Sequence, residues 1–261
     1  MEPQGRFADG AALLDGQVLQ KADAKGKHLF LGFDNRRWMH VHLGLYGKWA
    51  FRPAPAPPPV GQVRVRIESA DFYADLRGAT ACEVMTGPEV RKTMARLGPD
   101  PLRRDGDRDD FVRRVRARRR SIAELLMDQA VIAGVGNVYR AEVLYRARLS
   151  PDVLGNALDE ITVGALWDDL AVLLRDGVKR GSIVTTRPAD RPPGLRGGRP
   201  TRATAYYVYR RTGEPCRICG TPITTRVVAA RNLFWCPTCQ SGNHPGPRPL
   251  LNSSVSRAKC A

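Results

Sequence analysis

Four cysteines near the end of the chain constrain its fold more than any other feature. They form two pairs, Cys216 with Cys219 and Cys236 with Cys239, and sixteen residues separate one pair from the other. Each Cys-x-x-Cys pair can turn two thiolates onto one ion, and this spacing is typical of a tetrahedral zinc ribbon. The alternatives are a pair of disulfides or a chance grouping of cysteines. We expect one structural zinc ion, because four thiolates leave no coordination position open for water or substrate.

The stretch between the two cysteine pairs predicts a β-hairpin. Residues 221–235, TPITTRVVAARNLFW, are long enough for two strands, and we expect the turn near residues 229–232. A zinc ribbon identifies no function by itself. It predicts only that a small hairpin is held rigid, so the partner of that hairpin has to be inferred from the rest of the chain.

The balance of charge favours a polyanionic partner. Lysine and arginine number 42 against 26 aspartate and glutamate residues, which gives a formal net charge of +16. Nucleic acid is the usual partner of so basic a chain, although the arginine bias of a high-GC organism or binding to the ribosome would also produce the excess. Clustering favours a true binding surface, and the cluster comprises Arg113, Arg114, Arg116, Arg118, Arg119 and Arg120.

The sequence also predicts where the protein works. No apolar run is long enough to span a bilayer, and the polar N-terminus has no signal-peptide pattern. We therefore expect a cytoplasmic protein without a membrane partner. The remaining cysteines, Cys82 and Cys260, are expected to be reduced in that compartment.

Hydrophobic periodicity divides the chain into regions and predicts an α+β multidomain protein. Short runs with a period of two fill residues 15–86 and indicate an N-terminal β-sandwich, whereas the pattern becomes helical from about residue 88. Residues 187–203 are rich in arginine, proline and glycine and are expected to form a flexible basic loop. The expected domains are a β-sandwich over 1–87, a helical domain over 88–205, a zinc finger over 206–240 and a disordered tail over 241–261. The predicted helices run over 89–97, 109–118, 121–130, 137–146 and 159–179.

Residues 121–151 predict a helix, a glycine-bearing turn and a second helix. Gly134 and Gly136 permit the tight turn, and Asn137 stands where the second helix begins. Free backbone N–H groups and the positive end of the helix dipole make such a point a phosphate site, to which the Asn137 amide can add a donor. The alternative is an ordinary helical hairpin in which Asn137 is an N-cap. The neighbouring arginine cluster favours phosphate.

Several segments resemble one protein family, in the same order. MDQAVIAGVGNVYRAEVLYRARLSP resembles the helix–two-turn–helix motif of the formamidopyrimidine-DNA glycosylase/endonuclease VIII family, and GEPCRICGTPI with RNLFWCPTCQ resembles its zinc finger. KGKHLFLGF, HVHLGLYGKW, DLRGATACEV and LGPDPL are similar to further family segments, so the resemblance covers residues 4–240. It implies an N-terminal β-sandwich, a helix–two-turn–helix domain and a C-terminal zinc-ribbon hairpin. Leu45 and Tyr46, in place of a Met-Ser pair, favour the endonuclease VIII branch, which prefers oxidised pyrimidines.

The resemblance also implies roles for individual residues. Asn137 would hold a phosphate beside the lesion, and Arg231 in the hairpin would clamp the phosphates that flank the damaged nucleotide. Lys27 resembles a strand lysine that contacts phosphate near the reaction centre and assists catalysis. Leu45 and Tyr46 resemble the wedge that fills the gap left by a flipped base, and the loop 187–203 matches the region that covers that base. The alternatives are that Lys27 is a solvated strand lysine and that Leu45 and Tyr46 are core residues.

The activity that the resemblance implies is that of a DNA glycosylase and abasic-site lyase of base excision repair. In the family, the amine of an N-terminal proline attacks the sugar C1′, expels the base and forms an imine, and the following glutamate acts as acid and base. This chain departs from that pattern, because PQGRFADG corresponds to a segment beyond the family's first helix and strand. Pro3 follows Met1 and Glu2, so its nitrogen is an amide without basicity, and Glu2 does not align with the acid/base residue.

Two explanations of this departure compete. A start codon assigned too far downstream is the one we favour, because loss of a helix and a strand would expose core in the β domain. A true truncation would give a protein that binds damaged DNA without cutting it, unless Lys27 replaces the missing nucleophile. A zinc-ribbon accessory protein of ribosome or transcription machinery is the hypothesis from another class, against which the helix–two-turn–helix resemblance argues. The expected partner is double-stranded DNA with damaged bases or abasic sites, bound by a monomer.

Overall fold

The computed structural model describes residues 7–191, 201 and 204–241. The expectations for Glu2, Pro3 and Cys260, for the tail beyond Ser241 and for most of the loop 187–203 therefore fall outside the described residues. The chain divides into two compact units. The first unit comprises Met1–Gly106 and Gln129–Gly134, and the second comprises Asp107–Asp128 and Val135–Ala261. The domain limits expected from the sequence stay predictions.

Two antiparallel sheets form the first unit. The strands are Leu19–Lys25 (β1), His28–Phe33 (β2), Arg37–His42 (β3), Lys48–Pro53 (β4), Val65–Glu68 (β5), Phe72–Arg77 (β6) and Ala81–Thr86 (β7). One sheet has the strand order β1-β2-β3-β7 and the other has the order β4-β6-β5. Their facing sides share one apolar core, to which Met39 and Val41 contribute from one sheet and Val65 and Leu76 from the other. The predicted β-sandwich is confirmed.

One helix precedes the strands of the sandwich in the chain and another follows them. A short helix that the sequence analysis did not predict, α1 at Ala8–Leu14, precedes β1. Phe7, Ala11 and Leu14 recur at helical spacing and are all buried in the sandwich core. After β7, α2 spans Gly87–Ala95 and starts at a capping box, in which the Glu89 carboxylate accepts the Thr86 backbone N–H at 2.7 Å.

The second unit is helical and carries the hairpin. Its helices are α3 at Arg108–Arg116, α4 at Ile122–Leu125, α5 at Asn137–Arg146 and α6 at Glu160–Arg180. Single 3-10 turns lie at Gly155–Ala157 and Pro188–Asp190. Helix α6 packs against α3 and α5, and α5 packs against the second hairpin strand, β9 at Arg231–Trp235. Its partner β8 spans Thr224–Val228. The expected combination of sandwich, helical region and zinc-ribbon hairpin is confirmed as the fold.

Local capping explains where these helices begin and end. Asp159 caps α6 by accepting the Thr162 N–H at 2.6 Å, and Gly181, with φ of 64°, ends the helix in the left-handed region. The predicted bounds 159–179 are therefore right to within one residue.

The helix predicted over residues 121–130 is mostly wrong, because α4 stops at Leu125. A capping box between Ser121 and Glu124 starts it as expected, but the N–H groups of Met127 and Asp128 already bond three residues back, which is turn geometry. At Gln129 the backbone carbonyl accepts the N–H of Gly98 at 2.8 Å and so is not available to a helix. A contact distant in sequence thus overrides the local helical preference.

Candidate metal centre and nucleic-acid interface

The four cysteines of the ribbon surround one point. Their Sγ atoms all lie within 4.8 Å of one another. The Cys216–Cys239 pair is 3.9 Å apart and the Cys219–Cys236 pair 3.4 Å, close to the ~3.8 Å edge of a tetrahedron with ~2.3 Å zinc–sulfur bonds. A disulfide needs about 2.05 Å, so the disulfide alternative is wrong for these residues. The set fits one structural zinc ion with no open position.

Packing and side-chain contacts hold the ribbon against α5. Cys216, Cys236 and Cys239 are buried in one cluster with Tyr145 of α5 and with Tyr207. The Tyr145 hydroxyl lies 3.1 Å from the Cys216 sulfur, and its ring stacks on Tyr207 with the centroids 4.8 Å apart. The metal therefore orders the hairpin and also the surface by which the hairpin rests on α5.

The hairpin turn is tight and is built from two alanines. Ala229 and Ala230 have φ values of 51° and 56°, so both occupy the left-handed region that a two-residue type I′ turn requires. Val228 pairs with Arg231, which is the first residue of β9 and is exposed. The turn lies within the predicted range 229–232, and the side chain of Arg231 starts directly beside it.

Four residues join the start of α5 to this turn, and we name Asn137, Arg140, Arg231 and Asn232 the clamp cluster. The Asn137 amide nitrogen donates to the Asn232 carbonyl at 3.0 Å, and the Asn137 amide oxygen accepts from Arg140. Arg140 also donates to the Val228 carbonyl at 3.1 Å and to the Asn232 carbonyl at 3.4 Å. The expected phosphate residue Asn137 is thus hydrogen-bonded to the hairpin turn that carries the expected clamp Arg231.

The clamp cluster carries concentrated positive charge. Burial lowers the pKa of Arg140 to about 10, and repulsion from Arg231 acts in the same direction. Arg140 is therefore still protonated at neutral pH. Two guanidinium groups close enough to repel each other, next to free N–H groups at a helix start, form a site suited to an anion.

In the first unit, Lys27 stands in the turn between β1 and β2. It is exposed, and its Nζ donates to the side-chain oxygen of Gln129 at 3.3 Å. The same oxygen accepts the backbone N–H of Gly134 at 3.1 Å. Gly26, with φ of +59°, approaches this loop so closely that a Cβ would come within 3.0 Å of the Gly134 nitrogen. Lys27 is thus held against the glycine-bearing turn, unlike a freely solvated lysine.

Leu45 and Tyr46 project from the turn between β3 and β4. Their exposed fractions are 71% and 85%, so the alternative that they are core residues is wrong. The turn that carries them is closed by the Gly47 N–H, which donates to the Leu43 carbonyl at 3.0 Å. Two large apolar side chains on a tight exposed turn have the form of a wedge.

The arginine cluster at the end of α3 is less free than its sequence suggested. Arg113 and Arg114 both pair with Asp110, Arg116 pairs with Glu160, and Arg120 pairs with Asp128 at 3.1 Å. These carboxylates compensate much of the local charge. The cluster is therefore a weaker argument for a binding surface than the clamp cluster.

A row of histidines on the face of the first sheet opposite the sandwich core was not anticipated. His28 Nδ1 lies 2.8 Å from His40 Nε2, and His40 Nδ1 lies 2.8 Å from the Glu83 carboxylate. Burial, with the nearby charges of His40, His42 and Lys27, lowers the pKa of His28 to about 4. The alternation in His40-Val41-His42 was the available signal, because alternate residues of a strand share a face.

The other sequence expectations concern thiols and membranes. Burial raises the pKa of the unpaired Cys82 to about 12, which keeps it as a thiol. Within the described ranges, no helix has both the length and the hydropathy that a membrane crossing requires.

Comparison with protein families identifies the parts of the chain. Residues 2–82 match the formamidopyrimidine-DNA glycosylase N-terminal domain, and residues 97–188 match the formamidopyrimidine-DNA glycosylase H2TH domain. Residues 213–242 match the zinc finger found in FPG and IleRS. The three matches follow the order that the resemblance predicted.

Relatives and solved structures agree with these matches. Endonuclease 8 1 of Mycobacterium tuberculosis is 50% identical over 244 residues, which are 92% of this chain and 90% of that protein. The formamidopyrimidine-DNA glycosylase of Thermus thermophilus is 35% identical over 88% of this chain and 85% of its own. The Lactococcus lactis formamidopyrimidine-DNA glycosylase, non-covalently bound to DNA that contains an abasic site, superposes with a TM-score of 0.72 at 26% identity, over 90% of this chain and 85% of that one. The chain belongs to the formamidopyrimidine-DNA glycosylase/endonuclease VIII family.

Proposed function

We propose that this protein is a DNA glycosylase with abasic-site lyase activity, acting on oxidised bases in base excision repair. Members of its family are glycosylases of this kind, and the zinc ribbon and helix–two-turn–helix region are present. The single observation that carries the proposal is the clamp cluster, in which Asn137 and the turn bearing Arg231 are hydrogen-bonded together. That arrangement suits a DNA phosphate, since guanidinium and amide donors converge where a helix begins.

Binding to an abasic-site duplex tests the role of this cluster. Each of Arg231→Ala and Asn137→Ala should weaken binding about tenfold, and Arg231→Ala should also lower the slope of log affinity against log salt by about 0.9, because it removes one cationic phosphate contact. The matched control is Arg180→Ala, which removes the same charge from the exposed end of α6, where Arg180 pairs with Asp176. An Arg231→Ala protein with the salt slope of the control would refute the clamp role.

Asn137→Asp separates the two jobs of that side chain. The aspartate keeps an oxygen for Arg140 but loses the N–H donor and adds a negative charge, which repels phosphate. We expect weaker DNA binding than in Asn137→Ala, with zinc content unchanged. Binding as tight as that of the unaltered protein would show that the Asn137 amide does not face phosphate.

We further propose that oxidised pyrimidines are the preferred substrates. Support comes from the Leu45-Tyr46 pair and from the 50% identity to a protein named Endonuclease 8 1. Truncation of either side chain should lower excision about tenfold without loss of stability, because both are already exposed. Tyr46 can stack on a base, which contributes about 1–3 kcal/mol, and Leu45 can add apolar contact. Faster excision of 8-oxoguanine than of thymine glycol from matched duplexes would contradict the preference.

The second candidate is a damaged-DNA-binding protein without catalysis. It is favoured by the chemistry of the clamp cluster, whose amide and guanidinium groups suit phosphate binding but supply no nucleophile. Borohydride trapping on an abasic duplex distinguishes the candidates, because a lyase is captured as its imine. A trapped adduct that survives in Lys27→Ala places the amine elsewhere, whereas peptide mapping that finds the adduct on Lys27 assigns it to that residue. Tight binding without any adduct supports the non-catalytic candidate.

We also propose that the protein acts as a monomer on double-stranded DNA of the bacterial nucleoid. A single duplex backbone suffices for the clamp cluster, which requires no second copy of the chain. Light scattering of the complex with a short abasic duplex should give one protein per duplex. A two-to-one complex at saturating duplex would refute this stoichiometry.

A further inference from the structure

Arg140 stands out among the buried side chains of the second unit. It lies in the first turn of α5, is 0% exposed, and is bonded to both sides of the hairpin turn through the carbonyls of Val228 and Asn232. It also bonds the side chain of Asn137. A single guanidinium group therefore connects the start of the helix with the two strands that flank Ala229 and Ala230.

The partners of Arg140 are all uncharged. Two other buried arginines lie against carboxylates, Arg66 with Asp75 at 2.7 Å and Arg146 with Asp169 at 2.6 Å. Among the described residues no carboxylate lies within ion-pair distance of Arg140, and its buried Nε has no hydrogen-bond partner. A buried cation without an anion is costly, and the cost falls when an anion binds nearby.

We propose that Arg140 is a positioning residue of the DNA grip, which locks the hairpin turn to the start of α5 so that Arg231 and Asn137 act on the same stretch of phosphates. This inference rests on the proposed function, because it assigns how the two phosphate-binding residues are held. A zinc ion would order the end of the ribbon that carries the four cysteines. Arg140 orders the opposite end, at the hairpin turn.

The geometry of the guanidinium group explains why arginine occupies this position. Its two Nη groups diverge in one plane and can reach carbonyls on both strands together with the Asn137 amide. A lysine has one nitrogen and cannot span these acceptors. The positive charge of Arg140 also increases the attraction of the clamp cluster for phosphate, although the Arg140 guanidinium group is too buried to touch DNA.

A double-variant cycle between Arg140 and Arg231 tests the positioning role. In the unaltered background, Arg231→Ala should weaken binding to an abasic duplex about tenfold, whereas in the Arg140→Lys background it should weaken binding less than about threefold. A purely structural role for Arg140 would leave the effect of Arg231→Ala the same in both backgrounds. The control is Arg226→Ala, an exposed arginine of the same hairpin paired with Asp152, whose effect should be equal in the two backgrounds. Zinc content and thermal transition are measured for every protein.

Nitrogen-15 NMR of the arginine side chains in the unaltered protein keeps the proposal testable if Arg140→Lys fails to fold. A guanidinium group fixed by three acceptors rotates slowly about its Nε–Cζ bond, so its Nη protons should give separate signals without DNA. One averaged Arg140 signal would overturn the proposal, as would an equal cost of Arg231→Ala in both backgrounds. If the unaltered protein does not bind the duplex at all, the proposed function itself is refuted.

Discussion

Glu142 is the side chain whose loss we expect to destabilise the second unit most clearly. It is 0% exposed and lies on α5, and its carboxylate accepts the backbone N–H groups of Tyr207, Val208 and Tyr209, each at 2.8 Å. It also accepts the Thr185 hydroxyl. The segment that leads into Cys216 is thus fixed to α5 by one carboxylate.

The cost of Glu142→Gln follows from counting these acceptors. The least damaging orientation puts the new NH₂ group in place of Oε2, because the Thr185 hydroxyl can still bond the Ala205 carbonyl, 3.1 Å away. The Tyr207 N–H then faces a donor and stays unpaired, at a cost of about 2–3 kcal/mol. The bonds from Val208 and Tyr209 lose their charge assistance, about 0.5–1 kcal/mol each. The expected loss is about 3–5 kcal/mol.

Urea unfolding followed by circular dichroism measures this loss. The matched control is Glu160→Gln, because the Glu160 side chain is 72% exposed and pairs only with the half-exposed Arg116. We expect the control to change the free energy of unfolding by less than about 0.5 kcal/mol. If Glu142→Gln stays within about 1 kcal/mol of the unaltered protein, then the carboxylate does not hold residues 207–209, and the reasoning is wrong.

Further predictions concern the metal, the histidines and one glycine. Removal of zinc by a chelator, or Cys236→Ser, should lower the thermal transition and weaken abasic-duplex binding more than about tenfold in titrations, and undiminished binding would contradict the ribbon's role. His28 has a folded pKa of about 4 against an ordinary 6.5, so the unfolded chain takes up the proton first. Stability should therefore fall as pH drops from 6.5 to 4, by up to about 2 kcal/mol after solvent screening, and His28→Gln should remove that part of the pH dependence in thermal melts. Gly98→Ala places a Cβ 2.7 Å from the Val131 carbonyl carbon, and should cost more than about 2 kcal/mol in urea unfolding.

The parts of the site that could be predicted from the sequence are formed by residues that lie close together in the chain. The cysteine pairs, the hairpin between them and the start of a helix at Asn137 all follow from residues close together in the chain. The exposure of Leu45 and Tyr46 could not be decided in that way, since an apolar pair in a strand-rich region also suits a core. The structure shows that the two residues are exposed, because they lie in the turn between β3 and β4.

The parts that escaped prediction depend on partners distant in sequence. The sequence does not distinguish Arg140 from the other arginines, because its partners, the carbonyls of Val228 and Asn232, are about ninety residues away in the chain. Asp110 and Glu160 likewise neutralise arginines that looked available in the sequence. The helix predicted over 121–130 also ends early because of a partner distant in sequence, since the backbone N–H of Gly98 donates to the carbonyl of Gln129.

The two alanines at the hairpin tip have a consequence for how such a protein meets its substrate. Glycine would make this turn without strain, but it would also allow the tip to change shape, whereas alanine has only a narrow allowed well at positive φ. A turn restricted to one backbone conformation cannot adjust its shape to a straight double helix. If the tip binds DNA as proposed, the duplex has to change shape instead of the protein, and we expect sequences or lesions that bend readily to be bound more tightly.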